Sequence, residues 1–139
     1  MSDIFAHLDG RRAIIDRRAL AERLEAVAAE TSDTGKRRRA LVDLLKVALE
    51  EGRAEIARRL LEAPSSGRLA ASATAFLIDQ IIRLSYDFTV DHLYPAGNRS
   101  AGERITIIAF GGYGRAEMAP YSDIDIGFLT PFKQTSWTE

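Results

Sequence analysis

Cysteine is absent from this 139-residue sequence, which excludes disulfide bonds and thiolate metal sites. It also has no apolar run of about 18 residues, and its first residues (MSDIFAHLDGRRAII) lack a basic stretch followed by a long apolar one. We therefore expect a soluble, cytoplasmic protein with no membrane partner. A charge excess of either sign is missing as well, since 19 Lys and Arg stand against 20 Asp and Glu. This balance argues against nucleic acid as a partner.

The residues that are present indicate a globular chain in two unlike halves. The composition is 46% hydrophobic and 28% charged, and the length is that of one ordinary domain. Residues 1–101 are predicted to form a helical amino-terminal region. Residues 102–139 are predicted to begin a second domain, built on strands. The predicted fold class is therefore α+β.

Helical periodicity organises the first half. Apolar residues recur at three- and four-residue spacing after Asp16, the predicted N-cap of a helix. A second apolar stripe crosses Gly52, where we expect a kink or a short turn between two helices. Residues 64–67 (PSSG) predict a loop, and a third apolar face ends near His92, interpreted as a polar residue at a helix end. The basic run at 36–39 is interpreted as a solvated helix face.

Two strand signals occupy the second half, with a long loop between them. Residues 104–110 (RITIIAF) are apolar and β-branched, and they predict a buried strand. Residues 123–129 (DIDIGFL) predict the second strand. The connecting segment is far longer than a tight hairpin requires. We therefore expect this loop to do more than reverse the chain direction.

Two aspartates occupy alternate positions in the second predicted strand. Because strand side chains alternate between faces, Asp123 and Asp125 are predicted to share one face, with Ile124 and Ile126 on the packed side. Two ionised carboxylates this close repel each other, and burying them unpaired is costly. A divalent cation removes the conflict, since carboxylate oxygens suit Mg²⁺. The pair therefore predicts a Mg²⁺ site with room for substrate phosphate oxygens.

Glycines directly follow the first predicted strand. Gly111 and Gly112 lack side chains, so their backbone N–H groups can approach an anion closely. A helix beginning near Gly114 or Arg115 would turn its positive end to the same anion. The Arg115 guanidinium could donate to a triphosphate, and Ser122 could bond a phosphate or hold the turn. Singly, such features are ordinary turns and solvated edges; together, between two strands, they indicate a nucleotide site.

The string GGYGRAEMAPYSDIDIGFL, residues 111–129, resembles the hallmark of the DNA-polymerase-β-like nucleotidyltransferase superfamily. More closely, it is similar to the amino-terminal part of the bifunctional uridylyltransferase/uridylyl-removing enzymes. The resemblance covers nearly the whole chain, and residues 105–129 are its specific part. It implies transfer of UMP from UTP to a tyrosine of the PII signal protein, with Mg²⁺ as cofactor and pyrophosphate as product. It also implies glutamine as an effector of the full-length enzyme.

At matching positions the resemblance implies roles for individual residues. It makes Asp123 and Asp125 catalytic ligands of the metal, and it places Gly111 and Gly112 in contact with the nucleotide phosphates. Arginine and serine belong to the extended motif and are assigned phosphate contact. Glu117 either orients the arginine or faces solvent, and both alternatives stay open. The implied catalytic and metal-binding residues are Asp123 and Asp125, and the implied phosphate-binding residues are Gly111, Gly112, Arg115 and Ser122.

The chain departs from the family's pattern in one respect that bears on activity. The pattern includes a third carboxylate from a later strand, and the only acid after Asp125 is Glu139. We therefore expect an amino-terminal fragment whose sheet is incomplete and which is inactive in isolation. Two other interpretations remain. The chain could belong to another nucleotidyltransferase, such as one that adenylylates glutamine synthetase, or be a non-catalytic fragment that binds nucleotide or protein.

Overall fold

The computed structural model describes residues 3–97, 103–132 and 135–139. Most of this part of the chain is helical, and a pair of short strands follows the helices. A π-helical turn, Thr89–Leu93, continues directly from the longest apolar helix. The elements are α1 (Arg11–Ile14), α2 (Arg17–Glu30), α3 (Thr34–Glu62), α4 (Gly67–Phe88), β1 (Thr106–Ala109), α5 (Gly111–Gly114) and β2 (Ile126–Leu129).

Aspartate side chains begin the two helices α2 and α3. The Asp16 carboxylate accepts a hydrogen bond from the backbone N–H of Ala19 at 3.1 Å, which confirms the predicted N-cap. Asp33 does the same for the N–H of Lys36 at 2.8 Å. Each bond satisfies a backbone donor that has no partner within the helix, a contribution of about 1 kcal/mol. Local sequence therefore fixes where both helices start.

The hydrophobic core is formed where α1, α2 and α3 pack around α4. Ile14, Leu24 and Leu77, from three different helices, are the largest fully buried side chains among the described residues. Helix α4 is buried continuously from Ser72 to Ile78, which is typical of a helix surrounded by others. Burial of one such aliphatic side chain contributes about 2 kcal/mol. The predicted apolar face of this helix is thus confirmed, and α4 is the centre of the molecule.

Gly52 lies inside an uninterrupted helix, so the predicted turn between two helices at this position is wrong. Helix α3 runs through it from Thr34 to Glu62, and Gly52 is buried. A Cβ at this position would lie 2.6 Å from Leu77 Cδ1 and 2.8 Å from the Ile14 carbonyl oxygen. The glycine therefore serves close contact of α3 with α4 and α1, and this contact outweighs its low helix propensity.

One arginine of the basic run binds carbonyl groups at two helix ends. Arg37 donates to the carbonyl oxygens of Thr31 (2.6 Å), Ala28 (2.7 Å) and His92 (3.0 Å). It thereby satisfies acceptors left open at the end of α2 and in the π-helical turn. The interpretation of this run as a solvated face holds for its exposed neighbours but is wrong for Arg37. His92 lies at the end of the π-helical turn, as expected, 2.9 Å from Glu25.

The strands β1 and β2 form a two-stranded antiparallel sheet. Thr106 pairs with Leu129 and Ala109 pairs with Ile126 at the two ends of the ladder. Both strands are shorter than predicted, and the prediction that the first is buried is wrong, because Ile108 is exposed. In β2, Phe128 and Leu129 are exposed as well. With helices and a sheet, the described chain is consistent with the predicted α+β class, although helix predominates.

Hydrogen bonds and buried side chains attach the segment after β1 to α4. The backbone N–H of Met118 donates to the Ala71 carbonyl at 3.1 Å, and Met118 is buried. The hydroxyl of buried Tyr113 donates to Asp79 at 3.4 Å. Tyr113 and Met118 thus belong to the same hydrophobic cluster as the helices. The predicted boundary between residues 101 and 102 lies outside the described residues.

No helix in the described segments combines the length and hydropathy needed to cross a membrane.

Replacing Gly52 with alanine is expected to destabilise the protein. The new methyl group must displace Leu77 or the Ile14 backbone, which outweighs the gain in helix propensity, so the free energy of unfolding should fall by about 1–3 kcal/mol. Chemical denaturation monitored by circular dichroism measures this change. Gly67→Ala is the matched control, since a Cβ there meets nothing within 4 Å. Equal stability of Gly52→Ala and wild type would contradict the close contact described above.

Titration of Tyr113 is expected to lower stability at alkaline pH. Burial, reinforced by the Asp79 carboxylate, raises the pKa of Tyr113 to about 12 from its ordinary value of 10.0. The folded state therefore holds the phenolic proton more tightly than the unfolded state does. This contribution is complete below about pH 10 and is lost as the pH rises toward about 12.

Denaturation at a series of alkaline pH values measures the effect. In Tyr113→Phe, which cannot ionise at this position, the decline of the unfolding free energy should be shallower than in wild type. Superimposable pH profiles for the two proteins would show that Tyr113 does not titrate differently on folding.

Candidate functional site

A single helical turn follows β1 at the glycines. Gly111 has a φ of +57°, a conformation that L side chains rarely adopt, and it opens α5. The helix predicted to begin near Gly114 or Arg115 therefore begins earlier and spans only four residues. The carbonyl of Gly112 accepts hydrogen bonds from the N–H groups of Arg115 (3.2 Å) and Glu117 (3.0 Å), which close the turn. The segment is a compact bend at the end of a strand.

The structure brings Asp125 directly against this bend. A Cβ on Gly111 would lie 2.5 Å from Asp125 Oδ2, so no larger residue fits at Gly111 without displacing the carboxylate. The backbone supports the same approach, since the N–H of Phe110 donates to the Asp125 carbonyl at 2.9 Å. One predicted phosphate-binding glycine and one predicted metal ligand therefore meet. We name Gly111, Gly112 and Asp125 the glycine–aspartate bend.

The aspartates precede the second strand instead of lying within it. The ladder ends at the pair Ala109 and Ile126, so Asp125 is the residue just before β2. The predicted strand over 123–129 is wrong in its first three residues, because the Phe110 to Asp125 bond is the last one between the two segments. Strand alternation therefore does not apply at Asp123. That both carboxylates share a face stays a prediction, and both residues are exposed.

The apolar residues that alternate with the aspartates are exposed. Ile124 is 45% exposed and Ile126 is 39% exposed, which contradicts their predicted burial against a core. The reason is the size of the sheet, since a sheet of two strands offers few neighbours that could cover these side chains. The aspartates are consequently not buried charges, and the argument that desolvation alone demands a cation is removed. Their chemistry as hard oxygen donors is unchanged.

Ser122 and Arg115 make contacts different from those of Asp125. The Ser122 hydroxyl donates to the Ala119 carbonyl at 2.9 Å, and its N–H donates to the same oxygen at 3.2 Å. Of its two predicted roles, holding the turn is the one seen, and phosphate contact stays a prediction. Arg115 is exposed and lines a cavity together with His7 and Arg68. Phosphate contact by Arg115 likewise stays a prediction.

Glu117 does not orient Arg115. Its carboxylate accepts from the Arg68 Nε–H at 2.9 Å instead, and it is half-exposed. This pair links the loop to the first turn of α4. Sequence reasoning could not find it, because the two residues are 49 positions apart and belong to different elements.

The donors at the bend fit Mg²⁺ in kind. Magnesium is commonly held by one or two carboxylates together with substrate phosphate oxygens, and Asp123 and Asp125 supply two exposed carboxylates. Within residues 3–97, 103–132 and 135–139, no group of three or more His, Cys, Asp or Glu side chains is gathered around one point. A complete protein ligand set of three donors is therefore not formed by this part of the chain.

A strained loop connects the two glycines of the bend to the aspartates. Ala116 and Tyr121 have φ values of 57° and 62°, and a non-glycine residue in this region costs about 1–2 kcal/mol. Tyr121 is highly exposed and lies under the Arg53 guanidinium, 4.9 Å from the ring centroid. This cation–π contact ties the loop to α3. The sequence did not point to Arg53 or Tyr121, because the two residues are 68 positions apart and leave no local signal.

Comparison with known proteins gives relatives but no structural neighbour. No protein-family model matches the chain, and no solved structure matches it either. Three curated relatives share the name bifunctional uridylyltransferase/uridylyl-removing enzyme. The chain is 57% identical to the one from Novosphingobium aromaticivorans over 129 residues, which are 93% of the chain and 14% of that relative. It is 51% identical to the relative from Rhodospirillum rubrum over 124 residues, which are 89% of the chain and 13% of that relative. It is 45% identical to the one from Azospirillum brasilense over 134 residues, which are 96% of the chain and 14% of that relative.

These identities extend over nearly the whole chain, whereas the chain spans only about one seventh of the length of these relatives. They include the motif-bearing half, because a match of 129 residues leaves only ten of the 139 outside it. The chain therefore belongs to the family of bifunctional uridylyltransferase/uridylyl-removing enzymes.

Proposed function

We propose that the chain supplies the nucleotide-binding bend of a nucleotidyltransferase that moves UMP from UTP to a tyrosine of the PII signal protein. The observation that carries the proposal is the contact of Asp125 with Gly111 at a positive-φ glycine. A carboxylate beside bare backbone at the end of a strand can place a cation and a phosphate side by side. Family membership supports uridylyl transfer as the reaction. The proposed compartment is the cytoplasm.

In this proposal each residue of the bend has a distinct task. Asp123 and Asp125 would hold Mg²⁺, and Gly111 and Gly112 would admit the phosphates of UTP to the backbone N–H groups. When bound, the metal supplies positive charge that stabilises the charge developing on the phosphate oxygens. Arg115 would contribute a further positive charge from just beyond α5.

The proposed reaction is a displacement at the α-phosphorus of UTP. The tyrosine hydroxyl oxygen of the protein substrate forms the new bond to phosphorus while the bond to the β-phosphate oxygen breaks. Pyrophosphate leaves with the bonding electrons, and the hydroxyl proton passes to water. The bend contributes by positioning the triphosphate, which converts a slow encounter into a directed attack.

The rest of the proposed activity depends on polypeptide beyond the part seen here. The relatives are about seven times longer than the chain, and their name includes a second, uridylyl-removing activity. A two-stranded sheet is marginal as an independent unit. We therefore propose that transfer, the response to glutamine and recognition of PII belong to a longer protein, and that the 139-residue chain alone is inactive.

A second candidate is a non-catalytic fragment that binds nucleotide or protein. The exposed apolar side chains on β2 favour it. Adenylyl transfer to another protein, such as glutamine synthetase, is the neighbouring enzymatic alternative. Competition between UTP and ATP for the same site separates the two transferases. If a full-length protein that contains this chain binds UTP but transfers no nucleotide, the chain is a non-catalytic binding fragment.

Asp125→Asn is expected to abolish UMP transfer. The variant should be made in a chimera, in which this chain replaces its matching segment in the full-length Novosphingobium aromaticivorans enzyme. Loss of the carboxylate removes a metal ligand that acts in the transition state, so transfer should fall by about a hundredfold or more. Incorporation of radiolabelled UMP into PII measures the rate.

Asp43→Asn in the same chimera is the matched control, since Asp43 is an exposed carboxylate on α3, remote in sequence from the bend. Its transfer rate should equal that of the unmodified chimera. Normal transfer in Asp125→Asn would exclude Asp125 from the site. A chimera that transfers AMP but not UMP would exclude the nucleotide assignment.

Gly111→Ala is expected to weaken Mg²⁺–UTP binding by about tenfold or more, since the methyl group displaces Asp125 and strains a positive-φ position. Isothermal titration calorimetry of the chimera measures the affinity. Gly97→Ala, where a Cβ meets nothing within 4 Å, should bind as the parent does. Unchanged affinity in Gly111→Ala would show that the bend does not hold the nucleotide.

A further inference from the structure

A second concave site lies beside the loop that follows α5. A cavity of about 510 Å³ opens between the N-terminal segment, the first turns of α4 and the chain just after α5. Its lining includes neither Gly111 nor Asp125. The polar groups that line it, His7, Arg68, Ser72, Arg115 and Glu117, come from three separate parts of the sequence. We name this site the arginine cavity.

The charge in the arginine cavity is positive. Arg115 makes no side-chain hydrogen bond or ion pair with any described residue. Arg68 pairs with Glu117, but its side chain is 89% exposed, so this ion pair is weak and exchangeable. The lining of the cavity therefore carries two guanidinium groups and one carboxylate. Arginine presents planar, forked donors that match phosphate oxygens, and the fork of Arg115 has no partner among the described residues.

A buried hydroxyl adds a polar wall to the cavity. Ser72 is only 3% exposed, and its Oγ lies 2.9 Å from His7 Nε2. When the imidazole donates to this oxygen, the serine keeps its own proton for a second acceptor. The bond also fixes the N-terminal segment on α4 across 65 positions of sequence. One wall of the cavity is therefore a hydroxyl group that the core holds in place.

The orientation of α4 favours an anion at the same place. Arg68 is the second residue of this 22-residue helix, so the cavity lies at its N-terminal, positive end. The helix dipole, the two arginines and the serine all favour negative charge. Among the described residues that line the cavity, Glu117 alone opposes it, and Glu117 neutralises Arg68 at the same time.

We propose that the arginine cavity binds a phosphate-class anion, either inorganic phosphate or the terminal phosphate of a larger molecule. Binding there needs no metal ion, because the positive charge comes from guanidinium groups. This distinguishes the arginine cavity from the glycine–aspartate bend, where the donors are carboxylates. Arg115 takes part in both proposals, but phosphate binding in the arginine cavity does not require nucleotidyl transfer.

The test is calorimetric titration of the 139-residue chain with inorganic phosphate and with pyrophosphate in the presence of EDTA. Arg68→Gln should weaken binding about tenfold, as expected for loss of a charge-assisted hydrogen bond. Glu117→Gln should strengthen binding several-fold, because it removes the repelling carboxylate and releases Arg68. Arg39→Gln, an exposed arginine on α3, is the matched control and should leave the affinity unchanged.

Opposite effects of Arg68→Gln and Glu117→Gln support the proposal, and circular dichroism verifies that both variants are folded. Absence of phosphate binding in EDTA, or equal affinities in all variants, overturns it. Asp125→Asn should bind phosphate normally, so failure of the nucleotide site is distinguishable from failure of this one. Adding UTP identifies the source of the anion: displacement of phosphate by UTP indicates a nucleotide's terminal phosphate, and no displacement indicates the free anion.

Discussion

The close contact between α3 and α4 at Gly52 is the constraint on which the rest of the structure depends. Because Gly52 has no side chain, Leu77 packs against the backbone of α3 and the Ile14 carbonyl lies beside it. This contact fixes α4 at the centre of the helices. Helix α4 in turn holds the loop after β1 through Met118 and Tyr113. The position of the candidate site is therefore set by helix packing some distance from it.

The site itself combines rigid and strained parts. The glycine–aspartate bend is fixed by the backbone bond between Phe110 and Asp125 and by the bonds to the Gly112 carbonyl. The loop that joins its two ends contains two non-glycine residues at positive φ, and such conformations persist only where surrounding contacts hold them. Buried Ala116 and the Arg53–Tyr121 contact supply that support. Strain of this kind is commonly found where a loop must place a functional group.

How much could be predicted from the sequence depended on the range of the interactions involved. The cap at Asp16 is a contact over three residues, and the apolar face of α4 is a helical repeat; both were predicted correctly because the cause is local. Gly52 was misread as a helix break because its reason is Leu77, which lies in another helix. Likewise, the burial of Ile126 was predicted from strand alternation, but burial requires a partner layer that a two-stranded sheet does not have. In the candidate site, the juxtaposition of Gly111 with Asp125 followed from the motif, whereas the pairing of Arg68 with Glu117 left no trace in the sequence.

The small sheet has a consequence for how the chain behaves in solution. Phe128 and Phe132 are 63% and 103% exposed, and each strand has one edge without a neighbour in the described sheet. Open edges bordered by aromatic side chains are templates for pairing with another chain. This side of the molecule is therefore prone to self-association, and we expect its copies to associate as concentration rises. We also expect chaperones that bind apolar segments to recognise the sheet wherever no further polypeptide covers it.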